Sequence, residues 1–410
     1  MPGPLSHIRV LDLSRVLAGP WAGQNLADLG AEVIKVERPG TGDDSRAFGP
    51  PWVKDREGRD TKDSAYYTSA NRGKKSVTVN ISKPEGQLLV RELAGLCDVL
   101  IENYKVGDLA RYGLSYDDLK ALNPRLIYCS VTGFGQTGPY RERPGYDFMI
   151  QGMGGMMSVT GEPDGDANGK AGGGPQRAGV PVADIITGMY ASIAICAALA
   201  HRAETGAGQH LDLALLDSQI ALLAYQNTNY FATGKPPKRI GNLHPNIVPY
   251  QPFRTKDGSV ILACGNDNLY RKFCEAAGCP ELADDPRFVS NGKRVENRAE
   301  LTRLLQAIFM KKTKREWVEL LDTAGVPNGP INDVAQVFEE PQVKHLDMLK
   351  TVVSKHLGEQ VLLGQPITLT RTPSTIARAA PKRGEHTEEI LKEIGYDPAK
   401  LAEMKAAGVL

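Results

Sequence analysis

Short apolar runs alternating with amphipathic stretches fill roughly the first third of the chain. Ile8-Arg9-Val10-Leu11-Asp12-Leu13 predicts a strand, Trp21 to Leu29 a helix closed by Gly30, and Glu32-Val33-Ile34-Lys35-Val36 a second strand. The cycle repeats in Ser76-Val77-Thr78-Val79-Asn80-Ile81, a helix from Pro84 to Leu96, and Asp98-Val99-Leu100-Ile101. A further helix, Tyr116 to Leu122, precedes the strand Leu126-Ile127-Tyr128-Cys129-Ser130-Val131 and a glycine-rich passage from Thr132 to Gly138. Such alternation predicts an α/β fold: a parallel sheet covered by helices on both faces, with ligands outside the carboxyl ends of the strands. That edge carries Ser14 to Pro20, Arg38-Pro39-Gly40, Glu102-Asn103-Tyr104 and Gly133-Phe134-Gly135-Gln136.

Farther along the pattern changes. Val260 to Pro327 reads as a second unit, helical and more charged, with Glu300 to Phe309 and Lys314 to Ala324 as amphipathic helices. The Pro- and Gly-rich stretch Gly234 to Pro252 serves as a connector. After Pro327 short strands return, Gln360 to Leu363 and Ile367 to Thr370, before the helices Thr387 to Ile394 and Pro398 to Ala406. A C-terminal part that rejoins the first domain would make a split large domain.

At 410 residues the chain exceeds the limit of about 250–300 residues for one core, so two domains or one split domain are expected. Its 49 basic and 48 acidic residues leave a net charge of +1, and the basic residues are spread along the chain. That argues against nucleic acid as the main partner and leaves large anionic small molecules open. The N-terminus shows no basic region followed by an apolar core, so no signal peptide is expected. Six cysteines without CxxC spacing point to reduced thiols in a cytoplasmic protein. The apolar run Ala178 to Ala200 is long enough to suggest a membrane span, but its Ala, Gly, Ser and Thr content, with Pro181 and Asp184 near its start, favours a buried core helix and no membrane contact.

Asp184 is the sole charged side chain in that run. A buried, unpaired carboxylate costs several kcal/mol, so a chain that keeps one has a use or a partner for it. Two compatible readings follow: Asp184 caps the helix that begins after Pro181, or it is a nucleophile held at a helix N-terminus at the mouth of a cleft. There is no GxSxG elbow, GxxxxGK[ST] loop or HExxH motif, and the seven histidines do not cluster. A serine hydrolase or a metal centre is therefore disfavoured. Glu37 ends the second strand where an acid could hold a ribose, yet Ala18-Gly19-Pro20-Trp21-Ala22-Gly23 lacks the dinucleotide fingerprint, which disfavours a nicotinamide enzyme. Lys35, Arg38, Arg72, Lys74, Lys75, Lys105 and Arg111 gather near strand ends. They suit a polyphosphate-bearing ligand or are solvated surface charges.

An ordered set of motifs spans nearly the whole chain. It comprises Arg15-Val16-Leu17-Ala18-Gly19-Pro20, Gly30 to Gly40, Asn71-Arg72-Gly73-Lys74-Lys75-Ser76, Glu102-Asn103-Tyr104 and Gly133 to Pro139. Ala183-Asp184, Thr205 to Gln209, Gly325-Val326-Pro327, Glu340 to Val343 and Gly384-Glu385-His386-Thr387 continue it. In this the chain resembles the class III CoA-transferases, the group of formyl-CoA:oxalate and carnitine CoA-transferases and the related α-methylacyl-CoA racemases. The resemblance implies a Rossmann-like large domain built from both chain ends, a smaller middle α+β domain and an interlocked homodimer. On this sequence that layout maps to a large-domain part at 1–205, a linker helix at 206–235, a small domain at 236–328 and a return segment at 329–410.

The same resemblance makes Asp184 the transferase nucleophile and puts Val16, Arg38, Arg72, Lys75, Asn103, Tyr104 and Arg111 at or beside CoA contacts. It implies no permanently bound cofactor, since CoA thioesters are substrates. The oxalate enzymes carry a CoA-holding basic residue near the position of Pro144, a departure here. Racemases carry Gly-His-Asp where this chain reads Gly145-Tyr146-Asp147, and a tyrosine of pKa near 10 is a poor base at neutral pH. Tyr146 and Asp147 then shape the transferase site or are structural. The stretch Gly241 to Tyr250, followed by Phe253 and Thr255 to Gly258, resembles the succinyl-CoA:glutarate branch. Dicarboxylic acids are the favoured substrates, with Arg15 and His244 as candidates for the distal carboxylate; His244 reads equally as a turn histidine stacked on prolines. A racemase and a non-catalytic CoA-binding subunit are the rival readings.

Overall fold

The computed structural model describes residues 2–165 and 172–410. The chain divides into two compact units, one of residues 2–156, 178–234 and 346–410, the other of 157–165, 172–177 and 235–345.

The first unit is a mixed α/β fold around six parallel strands: β1 (Arg9–Asp12), β2 (Glu32–Glu37), β3 (Lys75–Thr78), β4 (Val99–Glu102), β5 (Ile127–Thr132) and β6 (His210–Ala214). Their order is β3-β2-β1-β4-β5-β6. Strands β1, β4 and β5 are apolar and almost wholly buried, as a sheet covered on both faces requires. Sequence order runs outward in both directions from the β1/β4 junction, so the loops leaving these two carboxyl ends part and open a crevice. Strand β6 lies in the stretch 206–235, which also holds helices Leu215–Leu222 and Tyr225–Thr233.

Two apolar clusters flank the sheet. One side packs Leu11, Ile34, Val77 and Leu100 against Leu89 and Leu93 of α2 (Pro84–Gly95), and takes in Ile390, Leu391, Leu401 and Met404 from the last two helices. The other packs Val10, Val33, Ile101 and Val131 against α1 (Ala18–Asp28) and α4 (Val182–Thr205). The C-terminal segment is also bonded to β3: the His386 amide donates to the Ser76 carbonyl at 2.9 Å, and the Thr78 amide to Thr387 Oγ1 at 3.0 Å.

Helix α4 departs from the expected core helix. Its buried residues, Ala183, Thr187, Gly188, Ala191, Ile195, Ala198 and Arg202, form one face, while Met189, Tyr190 and Ile193 stand exposed. By length and composition α4 could cross a membrane; its Arg202 instead pairs with Asp98 at 2.9 Å inside the unit. The second unit folds helices onto a small antiparallel sheet of Tyr250–Thr255, Gly258–Ala263 and Asn328–Pro330. Its core stacks Phe253 on Phe309 at 4.6 Å and Phe309 on Trp317 at 4.4 Å. The expected strand Ile367 to Thr370 does not form; Gly358–Leu363 pairs with Leu349–Ser354 as an isolated hairpin.

Gly188 fixes the approach of α4 to α1. A Cβ there would lie 2.6 Å from the Ala18 carbonyl oxygen and 3.0 Å from Trp21 Cβ. Gly188→Ala is therefore expected to push the helices apart at a cost of about 1–3 kcal/mol, read as a lower midpoint in denaturant unfolding. An unchanged midpoint would show that the contact is looser than described.

Candidate functional site

At the crevice of the β1/β4 junction one side chain ties together the two loops that leave the strands. Asn103, just past β4, accepts from the Arg15 amide at 2.8 Å through Oδ1 and donates through Nδ2 to the Arg15 carbonyl at 2.7 Å. The next residue, Val16, has φ of 69°, left-handed backbone that strains a β-branched side chain by about 1–3 kcal/mol. The Tyr104 amide donates to Glu102 Oε2 at 2.8 Å, and the Arg15 guanidinium sits 5.0 Å from the Tyr104 ring centroid.

Two cavities meet at Arg15 and Tyr104. The first, of about 200 Å³, is lined by Arg15 to Ala18, Asn103 to Val106, Val131 to Gly133, Arg141 to Tyr146 and Asp184. The second, of about 490 Å³, is lined by Lys35 to Pro39, Asp43, Val79 to Ser82, Asp108 and Tyr112. The floor of the first depends on glycine: a Cβ on Gly133 would lie 2.6 Å from Gly145 Cα, so two backbones touch where side chains would fill the cleft.

Asp184 does not cap its helix. Pro181 occupies the N-cap position without a side-chain bond, and Asp184 lies in the first turn. The amide of Ala183 is satisfied from outside, by Asp147 Oδ1 at 2.8 Å. Asp147 opens α3 (Asp147–Met153), and its Oδ2 accepts from Gln151 Nε2 at 2.7 Å, while Gln151 Oε1 accepts from the Ala178 amide at 2.9 Å. The segment entering α4 is thus fixed by two side chains of α3, and Asp184 makes no hydrogen bond or ion pair with a described residue.

Burial, with Asp147 as a second and smaller cause, raises the Asp184 carboxyl from 3.8 to about 7. A helix N-terminus opposes this by only about 0.3–1 kcal/mol, less than one pH unit, so desolvation wins. A carboxylate with this basicity and no donor occupying its lone pairs is a stronger nucleophile than an ordinary surface aspartate.

The expected ligand residues separate into groups. Arg15, Val16, Asn103, Tyr104 and Tyr146 line the cavity that holds Asp184, and Arg38 lines the larger one. Tyr146 is 69 % exposed. Arg72, Lys75 and Arg111 line neither. Arg72 grips Asp28 through Nε at 3.1 Å and Nη2 at 2.5 Å, Lys75 pairs with Glu32 at 2.7 Å and Glu389 at 2.8 Å, and Arg111 pairs with Asp108. Glu37 cannot hold a ribose, because Arg46 takes both its oxygens at 2.7 Å and Ser76 Oγ adds a bond at 2.6 Å. His244 belongs to the second unit, where its ring lies 5.2 Å from Tyr250 and its Nδ1 accepts from the Asn246 amide at 3.1 Å. Two cations escaped the sequence reading: Arg141 and Arg143 line the Asp184 cavity beside Pro144, with Arg143 over the Tyr140 ring at 4.5 Å. Their Arg-Glu-Arg-Pro-Gly context was the available signal.

Comparison with known proteins places the chain in a family. The family model described as CoA-transferase family III matches residues 5–387. A succinate–glutarate CoA-transferase of Agrobacterium fabrum is 49% identical over 95% of this chain and 96% of its own length. A human succinyl-CoA:glutarate CoA-transferase is 43% identical over 99% of this chain and 90% of its own. The crystal structure of a CAIB/BAIF family protein from Brucella suis, 49% identical, superposes with a TM-score of 0.82 over 96% of this chain and 100% of that one.

The Asp184 environment predicts a pH-dependent stability penalty. Below about pH 4 the carboxyl is protonated whether folded or unfolded, so Asp184→Asn changes nothing there. From pH 4 to 7 only the unfolded chain ionises, and the wild type loses stability relative to the variant; above pH 7 the gap is constant. Thermal unfolding should show the Asn variant more stable by roughly 1–3 kcal/mol at pH 8. A gap that does not vary with pH would contradict the desolvated carboxyl.

Proposed function

We propose, since this chain belongs to CoA-transferase family III, that it moves CoA from succinyl-CoA to a dicarboxylic acid of the glutarate kind through a covalent intermediate on Asp184. The observation that carries this reading is the carboxylate itself: half-buried, bonded to no described residue, raised by desolvation, and set in a cation-rich cleft that adjoins a larger cavity. Relatives named for succinyl-CoA and glutarate support the donor and the acceptor class.

The Asp184 carboxylate attacks the thioester carbonyl and expels the CoA thiolate, leaving a mixed anhydride. The thiolate attacks the aspartyl carbonyl and releases succinate, leaving an aspartyl-CoA thioester. The acceptor carboxylate attacks that thioester, and the freed thiolate then takes the acyl group from the second anhydride. Asp184 emerges as a carboxylate, and no net proton is consumed. These intermediates require that water be kept from the site during transfer. No resident cofactor or metal takes part; CoA thioesters are substrates.

Val16, Asn103 and Tyr104 hold CoA where the two cavities join, and Arg38, exposed at the larger cavity, meets its phosphates. Arg72, Lys75 and Arg111 contribute at most through the field of their pairs. Arg15 faces the acceptor, with Tyr146 and Asp147 shaping the site. The absence of histidine at Tyr146 speaks against racemisation. Exposed Met189, Tyr190 and Ile193 on α4, with Tyr230 and Phe231 beyond it, suit burial against a second copy in the interlocked homodimer, built on a two-ended large domain and a middle domain. Six free cysteines support a cytoplasmic setting.

The test is an initial-rate assay with succinyl-CoA in which CoA products are read by mass spectrometry. Glutarate should be thioesterified, and Asp184→Ala should abolish transfer while leaving CoA binding intact. Transfer by that variant near the wild-type rate would sink the mechanism. Arg15, a third exposed and paired with Asp44 at 3.1 Å, would exchange that partner for the acceptor, so Arg15→Leu should raise KM for glutarate several-fold and for butyrate little. Equal losses for both acids would move the acceptor role away from Arg15. Sedimentation should show a dimer at micromolar concentration, and a stable monomer would contradict the paired form.

A further inference from the structure

The loop from Ser14 to Val16, which lines both cavities, is gripped at three consecutive residues by side chains from other elements. The Ser14 carbonyl accepts from Lys35 Nζ at 2.8 Å, the Arg15 backbone exchanges two bonds with Asn103, and the Val16 amide donates to Asp43 Oδ1 at 3.2 Å. Lys35 and Asp43 also form an ion pair at 2.8 Å, with both side chains wholly out of solvent. Asp43 is held in turn: its amide donates to Glu37 Oε2 at 3.0 Å, and its Oδ1 accepts from the amide and hydroxyl of Ser45 at 2.9 and 2.7 Å. Glu37 is locked by Arg46, so the support runs through two charged pairs at the larger cavity.

A buried ion pair is weak evidence for stability, because well-packed apolar residues of similar volume often do as well. What the pair does here is directional. Left alone, a valine avoids a φ of 69°, and the conformation persists only where its surroundings over-determine it. Lys35 from β2 and Asp43 from the turn after it hold the peptide groups on either side of Arg15.

We infer that Lys35 and Asp43 are positioning residues whose ion pair imposes the left-handed backbone at Val16, and that this sets the affinity of the site for CoA. The inference rests on the CoA reading above. Neither residue need touch the ligand; both act through the loop.

A double-mutant cycle on CoA affinity, measured by calorimetry with CoA itself, separates this from a general structural role. Lys35→Met should weaken CoA binding tenfold or more in the wild-type background. In the Val16→Gly background, where glycine takes positive φ freely, the same change should cost less than twofold. Equal fold losses in the two backgrounds would overturn the inference. If Lys35→Met does not fold because Asp43 is left unpaired, the paired change Lys35→Met with Asp43→Leu enters the same cycle with the same criterion. A folded wild type that fails to bind CoA would overturn the CoA reading and the inference with it, whereas binding with additive losses overturns the inference alone.

Discussion

The structure of the first unit turns on the exchange of two hydrogen bonds between the Arg15 backbone and the Asn103 side chain. These residues follow β1 and β4, the strands between which the sheet reverses its order of construction. A doubly wound sheet must open there, since the chain leaves in both directions, and an opening lined by backbone needs partners for its amides and carbonyls. Asn103 supplies both kinds at once. Its grip defines the edge shared by the two cavities and presents Arg15 and Tyr104 to both.

The second constraint is electrostatic. A helix N-terminus offers unsatisfied amides, and the side chain at the N-cap usually takes one, which Pro181 cannot do here. In α4 the amide of Ala183 is taken instead by Asp147, which is anchored by Gln151. Asp184 itself is left half-buried and bonded to no described residue, and desolvation disfavours its charged form, a state that costs stability. Arg15, Lys105, Arg141 and Arg143 line the same cleft, with Arg15 paired to Asp44 and Arg141 to Glu142.

Much of this was legible in the sequence because it was local. The strands of the parallel sheet announce themselves by short apolar runs, and Pro84 and Gly30 mark helix boundaries where the structure has them. The ligand edge follows from alternation, which put the segments of Arg15, Asn103 and Tyr104 on it, while the choice of those residues came from the family resemblance. What was not legible depends on partners distant in sequence. Arg72 and Lys75 resemble phosphate ligands until Asp28, Glu32 and Glu389 are seen to hold them. The cap of α4 lies 36 residues from the amide it satisfies. Strand β6, His-Leu-Asp-Leu-Ala, is five residues long and runs straight on from a polar turn into a helix, so its alternation does not stand out. Ile367 to Thr370 has strand-forming residues but no neighbouring strand to pair with.

The central claim is that Asp184 becomes covalently attached to CoA during transfer. The most direct measurement is the mass of the protein and of its proteolytic peptides after brief mixing with succinyl-CoA and no acceptor. The account predicts an added CoA less one water on the peptide containing Asp184, removed by hydroxylamine and discharged by glutarate. Turnover with several competent donors and no adduct on that peptide would contradict it and favour direct transfer between two bound substrates.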